Sequence, residues 1–173
     1  MTYTFTKLTQ IHAEEIAGWN FPADYQWTTL GKGSETEYYL LRDVYRQDSY
    51  FEIHEGETLL GYFSVNNKIR SEAAGLQFVI QPGSSAETER EVRHAIEDFV
   101  KELLPEAATL NVMCYSTQTH AIEIYESLGY TNHGPLVSYG HDMASYEQDG
   151  FNLDQSGNYV PEIQLIILYK TIR

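Results

Sequence analysis

The chain has 173 residues, 42% of them hydrophobic and 13% aromatic, which suits one domain with a buried core and excludes a disordered chain. Eleven Lys and Arg stand against 25 Asp and Glu, a net charge of −14, which argues against nucleic-acid binding through a basic surface. The start, MTYTFTKLTQ, lacks the regions of a signal peptide, the longest strongly apolar run is LIIL at 165–168, and Cys114 is the one cysteine, so a soluble cytoplasmic protein without membrane contact or internal disulfide is expected.

Residues 2–8, TYTFTKL, alternate and are rich in Thr and aromatics, which predicts a strand. Residues 9–20 predict a short helix capped at Thr9. Residues 34–46 place Ser34 and Glu37 at capping-box spacing and continue with helical periodicity, which predicts one helix. Residues 49–67 predict a hairpin turning at EGE, where Gly56 supplies a positive φ. A strand follows at 74–81. After it, Val92, Ala95, Ile96, Phe99, Val100 and Leu103 form one apolar helical stripe, stopped near Pro105. Residues 108–116 predict a strand, 119–129 a helix ended by Gly129, and 161–172 a final strand. The segment 131–160 is polar and reads as a long hairpin or a surface excursion.

This order predicts an α/β class. The expectation is a single domain over 1–173, with a mixed, mostly antiparallel sheet and helices on both faces. Four stretches carry a resemblance: IAGWNFPADYQW (16–27), YFEIHEGETLLGYFSV (50–65), GLQFVIQP (75–82) and LNVMCYSTQTHAIEIYESLGY (110–130). With the element order, they resemble the GNAT superfamily of N-acetyltransferases over about residues 2–130 plus the last strand. The last stretch is the most specific, with Ala121, Tyr125, Gly129 and Tyr130 at the family's positions.

The resemblance implies acetyl-CoA as donor and direct transfer to a small amine, by a monomer or a homodimer, and the acidic second half of the chain would favour a cationic one. It implies that Tyr125 protonates the departing sulfur, a role open to a neutral phenol. It implies that backbone amides of Phe78, Val79 and Ile80 polarise the thioester, and that Gln118 stands where the family has a cofactor-binding Asn. Read without the family, Tyr125 is one core aromatic among 14 tyrosines. Glu52, Glu72 and His120 are candidate bases. No metal is expected, because the six histidines and Cys114 show no ligand spacing.

The pyrophosphate loop departs from the family pattern. The positions that carry glycines or neighbour them fall on Ser85, Ala86, Glu87, Thr88, Glu89 and Arg90. Glycines belong there because phosphate lies against bare backbone N–H groups at a helix start. Here Ser84 with Glu87, or Thr88 with Glu91, has capping-box spacing, so the helix would cap itself. Arg90 either reaches a phosphate by side chain together with Arg93, or is a helix-surface charge paired with Glu87 or Glu89. The other function class is thus a GNAT-fold binding module that has lost normal acetyl-CoA binding. Between Lys101 and Lys170 lie nine acids and no Lys or Arg. They form a solvated acidic surface or attract a cationic partner. Residues 138–152, outside the family pattern, are a surface loop or a substrate lid.

Overall fold

A computed structural model describes residues 2–21, 35–46, 48–66, 72–116, 118–135, 152–153, 159–160 and 165–173. The elements in chain order are β1 (Tyr3–Lys7), α1 (Gln10–Ala17), α2 (Glu35–Leu40), α3 (Asp43–Arg46), β2 (Tyr50–Glu55), β3 (Thr58–Asn66) and β4 (Ala73–Ile80). They continue with α4 (Ala86–Leu103), β5 (Thr109–Tyr115), α5 (Thr119–Ser127), β6 (Thr131–Pro135), β7 (Asn152–Leu153), β8 (Tyr159–Val160) and β9 (Leu165–Thr171).

Seven strands form one sheet in the order β1-β2-β3-β4-β5-β9-β6, and β7 pairs with β8 separately. Every neighbouring pair in the large sheet is antiparallel except β4 with β5. The mixed, mostly antiparallel sheet is the expected one.

Alternating strand residues supply two cores, one on each face. On one face Phe51, Phe63, Val65 and Leu76 pack under Val92, Ile96 and Val100 of α4. Phe5, Phe51, Phe63 and Phe99 interlock there with ring centroids 5.2–5.9 Å apart. On the other face Tyr62 and Val79 pack under Ala13 and Ile16 of α1 and Leu40 of α2. The apolar stripe of α4 stays buried to Val100, while Leu103 is exposed where the helix runs out. No helix among the described residues is long and apolar enough to cross a membrane.

Local signals held at several ends. Thr9 caps α1 by accepting from the His12 amide. Gly56 turns the β2–β3 hairpin with φ +59°, and Gly129, with φ +89°, follows α5.

The helix expected over 34–46 is instead two short ones, broken at Leu41 and Arg42, with Ser34 outside the described residues. The Arg46 side chain turns inward, 2% exposed, and donates to the Leu40 carbonyl and, at 2.8 Å, to Gln10 Oε1. A carbonyl at the end of α2 is thus satisfied by a guanidinium from the next turn rather than by more helix.

Gly61 shapes the middle of the sheet. The pairing of β2 with β3 shifts between Ile53 and His54, so that Ile53 faces Gly61 and His54 faces Leu59. This is a bulge. Gly61 has φ +155°, and a Cβ there would lie 2.0 Å from the Val79 carbonyl oxygen. Only glycine lets β3 approach β4 this closely.

Candidate active site

Strands β4 and β5 pair in parallel from Ala73/Thr109 to Leu76/Val112 and no further, although β4 continues to Ile80 and β5 to Tyr115. Their C-terminal ends therefore part, the position where open α/β sheets accept ligands. The gap is a cleft of about 70 Å³. Gln77, Phe78, Val79 and Ile80 of β4 form one wall, and Met113 and Cys114 of β5 the other. Glu89 and Arg93 of α4, and Gln118, Ala121 and Tyr125 at α5, complete it with Phe21.

Solved structures share this fold. Spermidine N-acetyltransferase from Vibrio cholerae, in complex with CoA and spermine, superposes with a TM-score of 0.66 at 17% identity, covering 98% of this chain and 95% of that one. A GNAT-family acetyltransferase from Bacillus anthracis gives 0.64 at 11% identity, covering 98% and 93%. The Campylobacter jejuni N-acetyltransferase PseH, in complex with acetyl coenzyme A, gives 0.60 at 14%, covering 99% and 100%. The chain has the GNAT N-acetyltransferase fold. No family model matches the sequence, and no curated protein matches it by sequence.

Several residues expected from the GNAT resemblance meet in the cleft: Phe78, Val79, Ile80, Glu89, Gln118 and Tyr125. Tyr125 is 4% exposed, with its ring 5.8 Å from Phe78 and 5.2 Å from Tyr130. It is both a core aromatic and a cleft residue. Burial pushes its phenol well above the ordinary value, partly offset by the Arg93 charge. The group is therefore a neutral donor at physiological pH. Gln118 precedes α5 but does not cap it; its Oε1 accepts the Tyr115 amide at 2.8 Å and so closes the end of β5.

The start of α4 is self-capped, in a register different from either expected one. Ser85 is the N-cap and accepts the Thr88 amide at 3.1 Å. Ser84 donates its hydroxyl back to the Gln81 carbonyl, because the Gly83 turn, with φ +88°, directs it there. Ser85, Ala86, Glu87, Thr88 and Arg90 do not line the cleft. Glu87 is exposed, and Arg90 donates to Ser127 Oγ at 3.0 Å, not to a neighbouring acid. Glu89 turns the other way and is 6% exposed.

The α4 face that meets the cleft carries a stripe of alternating charge: Glu89, Arg93 and Glu97, all buried. Arg93 Nη2 lies 3.4 Å from Glu89 Oε2. Glu97 Oε2 accepts from Lys170 of β9 at 2.6 Å. Glu89, expected as a surface partner of Arg90, is thus the buried partner of Arg93. Among the described residues, the buried Arg93 Nε and Nη1 have no hydrogen-bond partner. The stripe is visible in the sequence as Glu, Arg and Glu spaced by four, next to the apolar stripe. Cys114, also missed, has its thiol pushed up to about 11 by burial, despite the nearby Arg93 charge.

Of the three candidate bases, only His120 stands near the cleft, with Nε2 3.5 Å from Glu89 Oε1. Glu72 precedes β4 at the end where the strands are still paired. Glu52 lies on β2, outside the cleft lining, and joins His12 and His54. Residues 22–27 of the first matching stretch and 138–151 of the segment 138–152 lie outside the described residues.

Proposed function

We propose that this protein belongs to the GNAT superfamily and is an acetyl-CoA-dependent N-acetyltransferase of a small amine, acting by direct transfer. One observation carries the reading: a buried, neutral tyrosine, Tyr125, lines the cleft between two parallel strands that part beyond Leu76 and Val112. The Gln81 amide bonds to β3, so alternation turns the amides of Phe78 and Ile80 toward the opening. They would polarise the thioester carbonyl, and an amine bound beside it would attack directly. The phenol of Tyr125 would protonate the leaving thiolate. His120, held near Glu89, is the candidate to take the amine proton. The acidic chain and the buried Glu89 favour a cationic amine, the class to which the spermine in the Vibrio cholerae complex belongs.

The acyl arm fits this cleft better than the pyrophosphate fits the start of α4. Ser85 already takes the Thr88 amide, one of the donors an anion would use, and Thr88 and Arg90 stand where glycines would leave room. That observation favours a second reading, a GNAT-fold binding module without normal acetyl-CoA binding. Calorimetry separates the two. Saturable micromolar binding of acetyl-CoA, with thiol release on adding polyamines, supports the transferase. No binding at millimolar acetyl-CoA would sink it.

A further inference from the structure

On the sheet face that carries α1, three potential metal ligands converge from two elements. His12 comes from the first turn of α1, and Glu52 and His54 are alternate residues of β2, so they share one face of the sheet. We propose that His12, Glu52 and His54 bind one divalent transition-metal ion.

His12 Nδ1 lies 2.7 Å from Glu52 Oε2, and His54 Nε2 lies 3.2 Å from Glu52 Oε1. The ligand atoms all lie within 4.8 Å of one another. Two atoms bound to one tetrahedral zinc ion at its usual bond lengths stand about 3.3 Å apart, so small side-chain rotations suffice to close this set. Glu52 is 5% exposed, a costly place for a carboxylate without compensation. Its oxygens also accept from Thr6 Oγ1 at 3.0 Å, and from Thr9 N and Oγ1 at 3.2 and 3.3 Å. Those bonds come from residues outside the ligand set and hold the carboxylate in place, as outer partners do at metal sites.

The side chains of His12 and His54 are 30% and 16% exposed, which leaves a way in for an ion. Two imidazole nitrogens with one carboxylate suit zinc and its first-row neighbours, not magnesium or calcium. Three protein ligands leave a fourth position for water. No member of the set lines the cleft, so this site stands apart from the transferase reading. Spacing along the chain does not reveal it, because the docking of α1 on β2 brings His12 to Glu52 across 40 residues.

The test uses the full chain, stripped with a chelator and titrated with zinc against a chromophoric competitor. His12→Ala, His54→Ala and Cys114→Ser variants are run alongside, with folding checked by circular dichroism. The expected result is one equivalent bound at micromolar affinity or tighter. Each histidine variant should weaken it at least tenfold, and Cys114→Ser should leave it unchanged. Zinc should raise the melting temperature of the unmodified chain and not that of a folded His12→Ala/His54→Ala double variant. Cobalt in place of zinc should give visible bands that the double variant lacks. Binding weaker than 100 micromolar would overturn the proposal, as would tight binding that survives both histidine substitutions. The three side chains would then be a hydrogen-bonded cluster alone.

Discussion

The Arg93 guanidinium lies over the Tyr125 ring, 4.3 Å from its centroid. It also lies 4.9 Å from the centroid of Phe78. One buried cation thus touches both the tyrosine proposed for proton transfer and the β4 residue facing it. Its ion partner, Glu89, belongs to the same helix. Arg93→Met should leave the buried Glu89 charge without its guanidinium partner and with only the His120 ring beside it, a loss of about 3 kcal/mol. The Glu89→Gln/Arg93→Met double variant should recover at least half of that loss. Urea denaturation reads both, and equal losses in the two variants would refute the pairing.

Tyr125→Phe keeps the ring and removes the proton. If Tyr125 protonates the leaving thiolate, kcat should fall about 100-fold or more, while acetyl-CoA affinity stays within about threefold. Because burial raises the phenol above its ordinary value of 10.0, ionisation of this group should cause no loss of rate up to that pH. Steady-state assays across pH check both statements, with calorimetry for the affinity.

Cys114 sits in the cleft wall with its thiol raised to about 11. At pH 8 its thiolate fraction should be on the order of 100-fold below that of an exposed cysteine, and thiol reagents should react correspondingly slowly. Denaturant should abolish the protection. Rapid labelling of the native chain would show that this wall of the cleft opens.

Two positive-φ glycines should respond differently to alanine. At Gly61 a Cβ would meet the Val79 carbonyl oxygen at 2.0 Å, and at Gly129 it would meet only Lys170 Cε at 3.9 Å. Gly129→Ala should cost about 1 kcal/mol for its backbone conformation. Gly61→Ala should cost more than about 2 kcal/mol, because β3 and β4 must separate. Thermal or urea unfolding measures the difference.

Glu52 links stability to acid. Burial opposes its ionisation, but the bonds from His12, Thr9 and Thr6 outweigh burial, so its carboxyl titrates below the ordinary value. The unfolded chain then takes up this proton more readily than the folded one. Stability from Glu52 is full above the ordinary carboxylate range and is lost as pH falls through it toward the folded value. Glu52→Gln should flatten that part of the stability profile.

Much of the fold is legible along the chain, because it rests on contacts between near neighbours. Thr9 can cap α1, Gly56 can turn a hairpin and Gly129 can end a helix whatever else surrounds them. The apolar stripe of α4 likewise follows from periodicity, and with strand alternation it implies a sheet covered by helices. The motif around Tyr125 marks Gln118, Ala121 and Tyr125 of the cleft, and the strand before Pro82 marks one wall.

Other features depend on a backbone bend or on partners distant in sequence. The register of the α4 cap turned on the Gly83 bend, which spends Ser84 on Gln81 and leaves Ser85 to cap. The break between α2 and α3 turned on Arg46 reaching Leu40 and Gln10. Arg93 reads as a surface cation on a helix until β4 and α5 place Phe78 and Tyr125 beneath it. His12 has no relation in the sequence to Glu52 and His54 until α1 lies on β2. The sequence by itself determined most of the elements and many of their ends, since helix periodicity, strand alternation and turn residues act within a few positions of themselves. The tertiary structure alone decided which polar side chains are buried and which of them meet, because burial and ion pairing depend on how those elements pack.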